Sequence, residues 1–333
     1  MRAKGLPLHL HAAPFLQQAT TTPRVMLDVM YALVPVILAS LWWFGLSALL
    51  VLLASSAGAL LTEWLFSPPH RRGASLRDGS AILTGLLVGL TLPPGMPLWM
   101  ASVGGVASIG LGKLVWGGLG NNLFNPALVG RAFLQAAFPS AITTWTPCCG
   151  DFFSLPPGTL AFPFMHAGID AVTSATPLGL MKFQQQATPY RDLLIGNVAG
   201  SLGETSGMMI LLGGVYLVLR RSIDWRIPAA IVLSAALVSG VLFLLNATRF
   251  PDPAFMILSG SLLFGAIYMA TDPVTSPLTP RGTWIFGVGI GVLVVLIRLF
   301  GGLPEGVMYA ILLMNAATPL IARYSQPRVF GHG

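Results

Sequence analysis

The sequence predicts an all-α integral membrane protein, and three observations lead to this fold class. Of the 333 residues, 54% are hydrophobic and 9% are charged, against about 25% charged residues in an average soluble domain. About ten apolar runs approach the roughly 20 residues that a helix needs to cross a bilayer. The two halves of the chain also resemble each other. The predicted spans are 26–45, 46–66, 80–93, 98–116, 124–138, 205–219, 227–247, 254–271, 283–299 and 304–322.

The similarity between the halves predicts an inverted repeat. The segment ILTGLLVG at 82–89 matches ILSGSLLFG at 257–265, and the longer segment at 98–118 matches that at 283–302. Internal repeats in a membrane protein of this kind place functional sites at the interface between the halves. Because each half carries an odd number of predicted spans, five, we expect the halves to cross the membrane in opposite directions.

Broken helices are expected in both halves. Prolines interrupt the first copy at 91–97 and the second at 270–280, and interrupted spans leave backbone groups that a cavity or ligand must satisfy. The segment GGLGNNLFNPALVG at 117–130 is a third irregular feature, in which Asn125 and Pro126 have the residue types of a helix N-cap and first helical position. It fits either a tight hairpin or a ligand contact.

The basic residues indicate orientation and argue against nucleic-acid binding. The net charge is +7, but the arginines stand singly at the ends of apolar segments and form no dense basic stripe. With a cytoplasmic amino terminus, thirteen of the 18 basic residues fall on the inner side, as the positive-inside rule requires, and Arg298 falls outside. The inner set is Arg2, Lys4, Arg24, Arg71, Arg72, Arg77, Lys113, Arg220, Arg221, Arg226, Arg281, Arg323 and Arg328.

This orientation divides the chain into five segments. The first segment, residues 1–25, lacks a continuous apolar core, so we expect no cleavable signal peptide there. Both termini are expected in the cytoplasm, and the long central connection on the opposite side. The segments are a cytoplasmic amino-terminal stretch at 1–25, the first five-helix repeat at 26–138, an extracytoplasmic loop at 139–203, the second repeat at 204–322 and a cytoplasmic tail at 323–333.

The central connection holds a polar stretch, GIDAVTSATPLGLMK at 168–182. Hydroxyl side chains crowd beside one carboxylate there, and alanine leaves the last threonine open to a bulky reagent. A threonine hydroxyl is a poor nucleophile unless a base, a metal or an enzyme activates it. Local spacing therefore favours a simple turn before proline. The residues concerned are Asp170, Thr173, Ser174, Ala175 and Thr176.

The same stretch resembles the acceptor sequence D-x-x-[ST]-G-A-T, on which a flavin transferase esterifies FMN through its phosphate. Asp170, Thr173, Ala175 and Thr176 match it, and Ser174 departs from it. Further segments extend the resemblance along most of the chain, which is similar to the RnfD family of membrane subunits in the Rnf (Rsx) ion-translocating electron transport complex. They are DGSAILTGLLVGLTLPP from Asp78, GKLVWGGLGNNLFNPALVGRAFL from Gly112, GSLGETS from Gly200 and YMATDPVTSPLTPRGTWIFG from Tyr268.

The resemblance implies a flavoprotein subunit of the bacterial inner membrane. FMN would be joined to Thr176 by a phosphoester bond on the periplasmic side, after a flavin transferase recognises Asp170 and Thr173. Electron transfer between NADH and ferredoxin-type carriers would be coupled to movement of Na⁺ or H⁺ within a complex of several subunits. A more distant relative, the B subunit of the sodium-translocating NADH:quinone reductase, carries a non-covalent riboflavin, and the resemblance leaves open whether one binds here.

Four acidic residues lie near the predicted spans, and each requires a structural or functional explanation. A charge in hydrocarbon costs about 2.5–3.5 kcal/mol on insertion scales. Asp272 fits either a cation ligand or a helix cap. Glu63 fits either an ion entry point or an interfacial charge. Glu204 and Glu305 precede apolar runs, where the helix dipole favours a carboxylate. Asp272 and Glu63 are thus the candidates for an ion path.

Two other classes of protein remain open on the sequence alone. An inverted-repeat channel or secondary transporter would use the same helices around a solute path, with the polar stretch as a plain loop. A scaffold for partner subunits would need neither redox chemistry nor transport. The five histidines show no metal-ligand spacing, and we expect neither a metal site nor a catalytic residue.

Overall fold

A computed structural model describes residues 21–69, 72–148, 152–156, 158–163, 174–247, 249–302 and 304–326. Within these ranges the chain is helical and has no β-strand. The predicted all-α class is therefore confirmed for the described part of the chain.

Fourteen helices are present in the described residues, and three of them continue into a π-helical turn. They are α1 Thr22–Phe66, α2 Arg72–Arg77, α3 Ser80–Leu90, α4 Leu98–Ile109 with the π turn Gly110–Leu114, α5 Pro126–Ala137, α6 Pro139–Thr143, α7 Pro177–Gly179 with the π turn Leu180–Gln184, α8 Tyr190–Ile195, α9 Gly207–Leu219, α10 Arg226–Leu245, α11 Pro253–Leu258, α12 Leu262–Phe264 with the π turn Gly265–Met269, α13 Pro280–Phe300 and α14 Val307–Ser325.

Several helices fit a multi-pass membrane protein. Four are long and apolar enough to cross a bilayer, namely α1, α10, α13 and α14, and three shorter apolar helices accompany them. Large apolar side chains on their outer faces are exposed, as a lipid-facing surface requires, including Leu38, Trp42, Leu237 and Leu244. The helix pattern therefore agrees with the predicted membrane class.

Helix α1 reverses direction near its middle. A straight helix of its 45 residues would be about 68 Å long, roughly twice the hydrocarbon thickness. Met26, near its start, lines a cavity with Lys113, and Lys113 forms an ion pair with Glu63, near its finish. Both ends of α1 therefore lie at the same end of the bundle, which we call the Lys113 end.

The reversal occurs at Gly45, where φ is 61° and ψ is −141°. Glycine adopts this left-handed backbone without the steric strain that a side chain would add. The break deprives Leu46 N–H of a helical acceptor, and the carbonyl of Phe152 accepts its hydrogen bond at 2.8 Å. The predicted boundary between the spans 26–45 and 46–66 is thus confirmed at Gly45.

The predicted helix interruptions are also present. Helix α3 ends at Leu90 and α4 begins at Leu98, so 91–97 is non-helical, and so is 270–279 before α13. The predicted span 254–271 is itself broken between α11 and α12. The predicted cap of α5 is confirmed, because the Asn125 side chain accepts hydrogen bonds from two backbone N–H groups of the first turn.

Buried connectors fill the end of the bundle opposite Lys113. Residues 201–206 are buried although they are not helical. Their backbone pairs with the end of α3, with Gly203 N donating to Leu90 O at 2.6 Å and Leu202 N donating to Leu92 O at 3.1 Å. Ser40, close to the reversal in α1, donates to Leu202 O. Non-helical backbone is thus satisfied by protein contacts, as membrane burial demands.

The reversal in α1 yields a stability prediction. A Cβ at Gly45 would overlap the Phe152 backbone, and alanine would also be strained at φ 61°, so Gly45→Ala should lower the free energy of unfolding by roughly 1–3 kcal/mol. Thermal unfolding in detergent would measure the loss. Gly73→Ala is the matched control, because this exposed helical glycine has open space around it and alanine favours a helix. Equal stability of both variants would contradict the role assigned to Gly45.

Candidate functional site

Thr176 lies at the amino terminus of α7, at the last position of the predicted acceptor sequence. Its Oγ1 accepts a hydrogen bond from Gly179 N at 3.1 Å, and its side chain is half-buried. Asp170 and Thr173, the other two predicted recognition residues, lie outside the described residues. Thr176 is therefore held by a local cap while part of its surface remains accessible.

Ser174 and Ala175 show how the chain approaches Thr176. Ser174 donates twice to the carbonyl of Trp145, from its backbone N at 2.9 Å and from its Oγ at 3.3 Å. Ala175 is exposed. The serine thus ties the segment to the chain after α6.

A cavity of about 330 Å³ opens beside Thr176. Its volume is at the lower end of the roughly 300–1,000 Å³ that small-molecule sites occupy. Aromatic and apolar side chains form much of the wall, and a few polar groups are placed among them. The wall consists of Arg131, Gln135, Ile142, Thr143, Trp145, Ala175, Thr176, Gly179, Phe183, Gln184, Pro304, Glu305, Met308 and Tyr309.

Arg131 joins two buried carboxylates next to this cavity. It projects from α5, and its Nη2 donates to Glu305 Oε2 at 2.6 Å. Its Nη1 lies 3.6 Å from Glu204 Oε1, an ion-pair distance that is too long for a hydrogen bond. The side chains of Arg131, Glu204 and Glu305 are 8%, 7% and 18% exposed. A second, smaller cavity brings Thr176 together with both glutamates.

Arg298 adds a second buried guanidinium to this end of the bundle. Its Nη1 donates to Met256 O at 2.6 Å and its Nη2 to Ser259 O at 3.1 Å. The neighbouring Gly260 has φ 64°, and a Cβ there would lie 3.1 Å from Arg298 Nη2 and 3.3 Å from Glu305 Oε1. Glycine thus lets the backbone at the break between α11 and α12 pass between the two charges.

Lys182 links the segment after Thr176 to the end of α13. Its Nζ donates to Arg298 O at 2.9 Å and to Gly301 O at 2.6 Å. Partial burial lowers the pKa of Lys182, because removal from water disfavours the ammonium form. We call Arg131, Glu204, Glu305, Arg298 and Lys182 the Thr176-end cluster.

Both predicted ion-path residues lie at the Lys113 end. Glu63 is fully buried, pairs with Lys113 Nζ at 2.8 Å and accepts a hydrogen bond from Ser75. Glu63 thus has a protein partner, and its role in an ion path stays a prediction. Asp272 accepts from Val274 N at 3.2 Å and from Thr275 Oγ1 at 3.3 Å, so its carboxylate caps a turn.

The small cavity at the Lys113 end has Asp272 in its wall, and Glu63 reaches it only through its partner Lys113. It measures about 70 Å³, and both Lys113, the partner of Glu63, and Asp272 line it. Asn122 and Asn125 from the predicted irregular segment line it as well. A second hydrogen bond from Lys113 Nζ reaches Ser80 Oγ at 2.7 Å. The breaks at 117–125 and 270–279 thus face one cavity, in which a few polar groups stand among apolar walls.

Arg131 is a site residue that the sequence did not lead us to predict. We considered only acidic side chains as costly charges inside the membrane, although Arg131 lies in the middle of the predicted span 124–138. The insertion cost of an arginine is similar to that of an aspartate, so the same criterion identifies it. The positions predicted for Glu204 and Glu305, before α9 and α14, are confirmed, but their shared cation was not predicted.

The comparison with known families decides the relationship of this chain. A sequence profile described as the NQR2, RnfD, RnfE family matches residues 9–331. The chain belongs to this family. The resemblance seen in the acceptor sequence and the segments around it is therefore confirmed across nearly the whole length.

Individual members of the family agree in length as well as in sequence. The chain is 38% identical over 332 residues to a protein of Clostridium ljungdahlii named as the D subunit of the proton-translocating ferredoxin:NAD(+) oxidoreductase complex, with 97% of this chain and 96% of that protein covered. It is 36% identical to the D subunit of the ion-translocating oxidoreductase complex of Yersinia pseudotuberculosis, covering 98% and 99%. The corresponding protein of Escherichia coli is 37% identical, with 96% and 97% covered.

The Arg131 contacts yield a prediction that is independent of any cofactor. Arg131→Gln leaves two buried carboxylates without their cation, so the free energy of unfolding should fall by about 3–5 kcal/mol. Adding Glu305→Gln should recover part of the lost unfolding free energy, because it removes one of the two unpaired carboxylate charges. Thermal unfolding of the cofactor-free protein in detergent would measure both effects.

Arg226→Gln is the matched control for this experiment. Arg226 pairs with Asp224 at 3.7 Å, and the two side chains are 37% and 35% exposed, so its loss should cost no more than about 1 kcal/mol. If Arg131→Gln is no more destabilising than Arg226→Gln, the buried ion pairs do not carry the stability assigned to them.

Proposed function

We propose that this chain is the membrane subunit of an ion-translocating oxidoreductase complex and carries electrons through FMN bound covalently to Thr176. The complex would transfer electrons between NADH and ferredoxin-type carriers and couple their flow to movement of Na⁺ or H⁺. Other subunits of the complex are the expected partners, and the isolated chain is not expected to show complete activity. The observation that carries the proposal is the Thr176 hydroxyl beside a cavity with aromatic walls.

The residues around Thr176 fit a flavin in size and chemistry. Bound flavin supplies one-electron and two-electron transfer, and the protein supplies its binding and orientation. Trp145, Phe183 and Tyr309 would contact a planar ring and exclude water from it. Arg131, which stays charged, would balance negative charge on the phosphate or the ring. Thr176 would fix the phosphate end to the chain.

Attachment requires an enzyme that acts on the chain after synthesis. The Thr176 oxygen would form an ester bond to the flavin phosphate, and the described contacts of Thr176 include no side-chain base that would activate the hydroxyl. A flavin transferase is therefore the proposed partner in maturation. Asp170, Thr173, Ser174 and Ala175 would form its recognition sequence around Thr176.

The attachment site yields a direct prediction. Protein co-expressed with a flavin transferase should carry the mass of FMN less water and stay fluorescent on a denaturing gel. Thr176→Val should lose both signals, since valine has a similar shape and no hydroxyl. Intact mass and peptide mapping across 168–182 would locate the adduct.

Thr143→Val is the matched control, because Thr143 lines the same cavity and its hydroxyl bonds within its own helix turn. This variant should keep the flavin. An adduct that survives in Thr176→Val, or that wild-type protein lacks, excludes the proposed attachment. In that case, solute movement in vesicles without an electron donor would favour the channel or transporter alternative.

We further propose ten spans in two inverted five-helix halves, in the bacterial inner membrane with both termini in the cytoplasm. Two positions related by the internal repeat support this arrangement. Lys113 lies beside the start of α1, whereas Arg298 lies near Glu305 and the Thr176 cavity, so the pair occupies opposite ends of the bundle. Opposite ends are what an inverted repeat requires. Thr176 would then face the periplasm.

Asp272 and Glu63 are the proposed groups on the ion path. Their support is that Asp272 and the Lys113 partner of Glu63 line one cavity at an interruption of the helices, which is where membrane transporters place ion sites. Asp272→Asn should lower ion uptake driven by electron transfer about tenfold or more in vesicles that contain the whole complex. Covalent FMN should remain.

Asp224→Asn serves as the control for the ion path, because this carboxylate is 35% exposed and lies outside the cavity. Its ion uptake should equal that of wild type. Normal uptake by Asp272→Asn would remove this residue from the path. Measuring Na⁺ and H⁺ uptake separately identifies the coupling ion.

A non-covalent riboflavin is a second candidate cofactor of the same proposal. The cavity lined by Asn122 and Asn125 would be its place, since it combines apolar walls with two amides. At about 70 Å³ it is smaller than the range for small-molecule sites, so a flavin there would have to move the helices apart. Riboflavin released by denaturation from the Thr176→Val variant would support this site.

A further inference from the structure

The Thr176-end cluster contains charged groups that flavin attachment does not use. Two carboxyl groups and two guanidinium groups are buried together, and both glutamates line cavities that also contain Thr176. We propose that Glu204 and Glu305 form a proton-holding pair that takes up one proton when an electron reaches the flavin. This inference rests on the function proposed above and deepens it by assigning a role to the buried acids.

The geometry of the two carboxyl groups allows one proton to be held between them. Glu305 Oε2 is engaged by Arg131 at 2.6 Å. Glu204 Oε1 is buried and makes no hydrogen bond to any described residue, and Arg131 Nη1 approaches it only to 3.6 Å, so this oxygen can still accept a proton. The two carboxyl groups flank the same guanidinium group and line the same small cavity. A hydrogen bond between two carboxyl groups requires that one of them carries a proton.

The charge balance of the cluster gives the reason for proton uptake. With both glutamates ionised, their two negative charges and the one negative charge of an attached FMN phosphodiester would match the positive charges of Arg131, Arg298 and Lys182. An electron delivered to a flavin in the adjoining cavity adds one negative charge, which disfavours ionised carboxylates nearby. One proton from water, added to one carboxylate, restores the balance. When the electron leaves for the next carrier, the proton returns to water.

The other charged or titratable groups that face the pair do not replace it as proton carriers. Arg131 and Arg298 keep their protons, because guanidinium groups do not deprotonate in proteins. Lys182 directs its amino group to the carbonyls of Arg298 and Gly301. Tyr309 lines the larger cavity, and a phenol can give up a proton but does not readily take one up. The carboxyl pair is the group that gains a proton most readily.

A proton fits this site better than a metal cation. A cation beside Glu204 and Glu305 would meet the positive charge of Arg131 at close range, and that repulsion is strong where water is excluded. A proton forms a neutral carboxyl group and adds no separate charge. Glu305, with 18% of its side chain exposed, offers the route from the cavity. The pair therefore differs from the proposed ion path at Asp272 and Glu63.

The experiment uses full-length protein with FMN attached, and the adduct is first verified by mass. Infrared difference spectra between the oxidised and reduced protein should show a carboxylic acid C=O band that appears on reduction. Labelling the glutamate side chains with ¹³C should shift this band, whereas flavin carbonyl bands should stay in place. Glu204→Gln combined with Glu305→Gln should abolish the band.

A redox titration provides the quantitative readout. One proton per electron corresponds to a change in potential of about 59 mV per pH unit, and in the doubly substituted protein the pH dependence of the first reduction step should become markedly flatter. Asp252→Asn is the control, because this carboxylate lies at the same end of the bundle but bonds to Tyr190 and the Phe255 backbone. It should leave both the band and the slope unchanged.

The outcomes separate this inference from the proposed function. If the adduct is present and the wild-type spectrum has no ¹³C-sensitive band, the proton-holding pair is excluded while flavin attachment stands. A band that persists in the doubly substituted protein also excludes it. If wild type carries no adduct, both proposals fail. Because the labelled wild-type protein gives a result by itself, misfolding of a variant does not prevent the test.

Discussion

The contact of Arg131 with Glu204 and Glu305 is the constraint on which this end of the molecule depends. Arg131 comes from α5, in the first half of the chain, while the glutamates precede α9 and α14 in the second half. A buried charge of either sign is unfavourable alone. The three residues can therefore be buried only together, and their meeting fixes how helices that are distant in sequence approach each other.

This constraint also explains why irregular backbone is tolerated inside the bundle. The segment 201–206 enters the interior because Glu204 finds its cation there, and its N–H groups find the carbonyls of Leu90 and Leu92. Those carbonyls are free because α3 ends at the predicted interruption. Broken helices and buried charges thus support each other, since each supplies what the other needs in a medium without water.

Local features of the fold could be predicted from the sequence, and long-range features could not. The apolar runs, the Asn125 cap, the reversal at Gly45 and the interruptions before α4 and α13 each depend on neighbouring residues. The charge partners do not, since Arg131 meets Glu305 from 174 residues away and Glu63 meets Lys113 from 50 residues away. The spacing of apolar residues along the sequence carries no information about such pairs. The sequence alone therefore could not distinguish Glu63 from an interfacial charge. For the site, Thr176 was found through its resemblance to an acceptor sequence, and its cavity required the fold.

The two ends of the bundle differ in the cation that holds their carboxylate, and this difference bears on what each end can do. At the Lys113 end, Glu63 pairs with an ammonium group, a compact charge on a flexible stem, and Lys113 Nζ also donates to Ser80 Oγ at 2.7 Å. At the Thr176 end, Arg131 presents a planar guanidinium fork whose separate nitrogens face Glu305 and Glu204. A fork of this kind holds two carboxylates from distant segments at once, whereas the ammonium group of Lys113 holds one among the described residues. The Thr176 end therefore has the fixed geometry that the proposed flavin site requires, and the Lys113 end has the more adaptable contact that the proposed ion path requires.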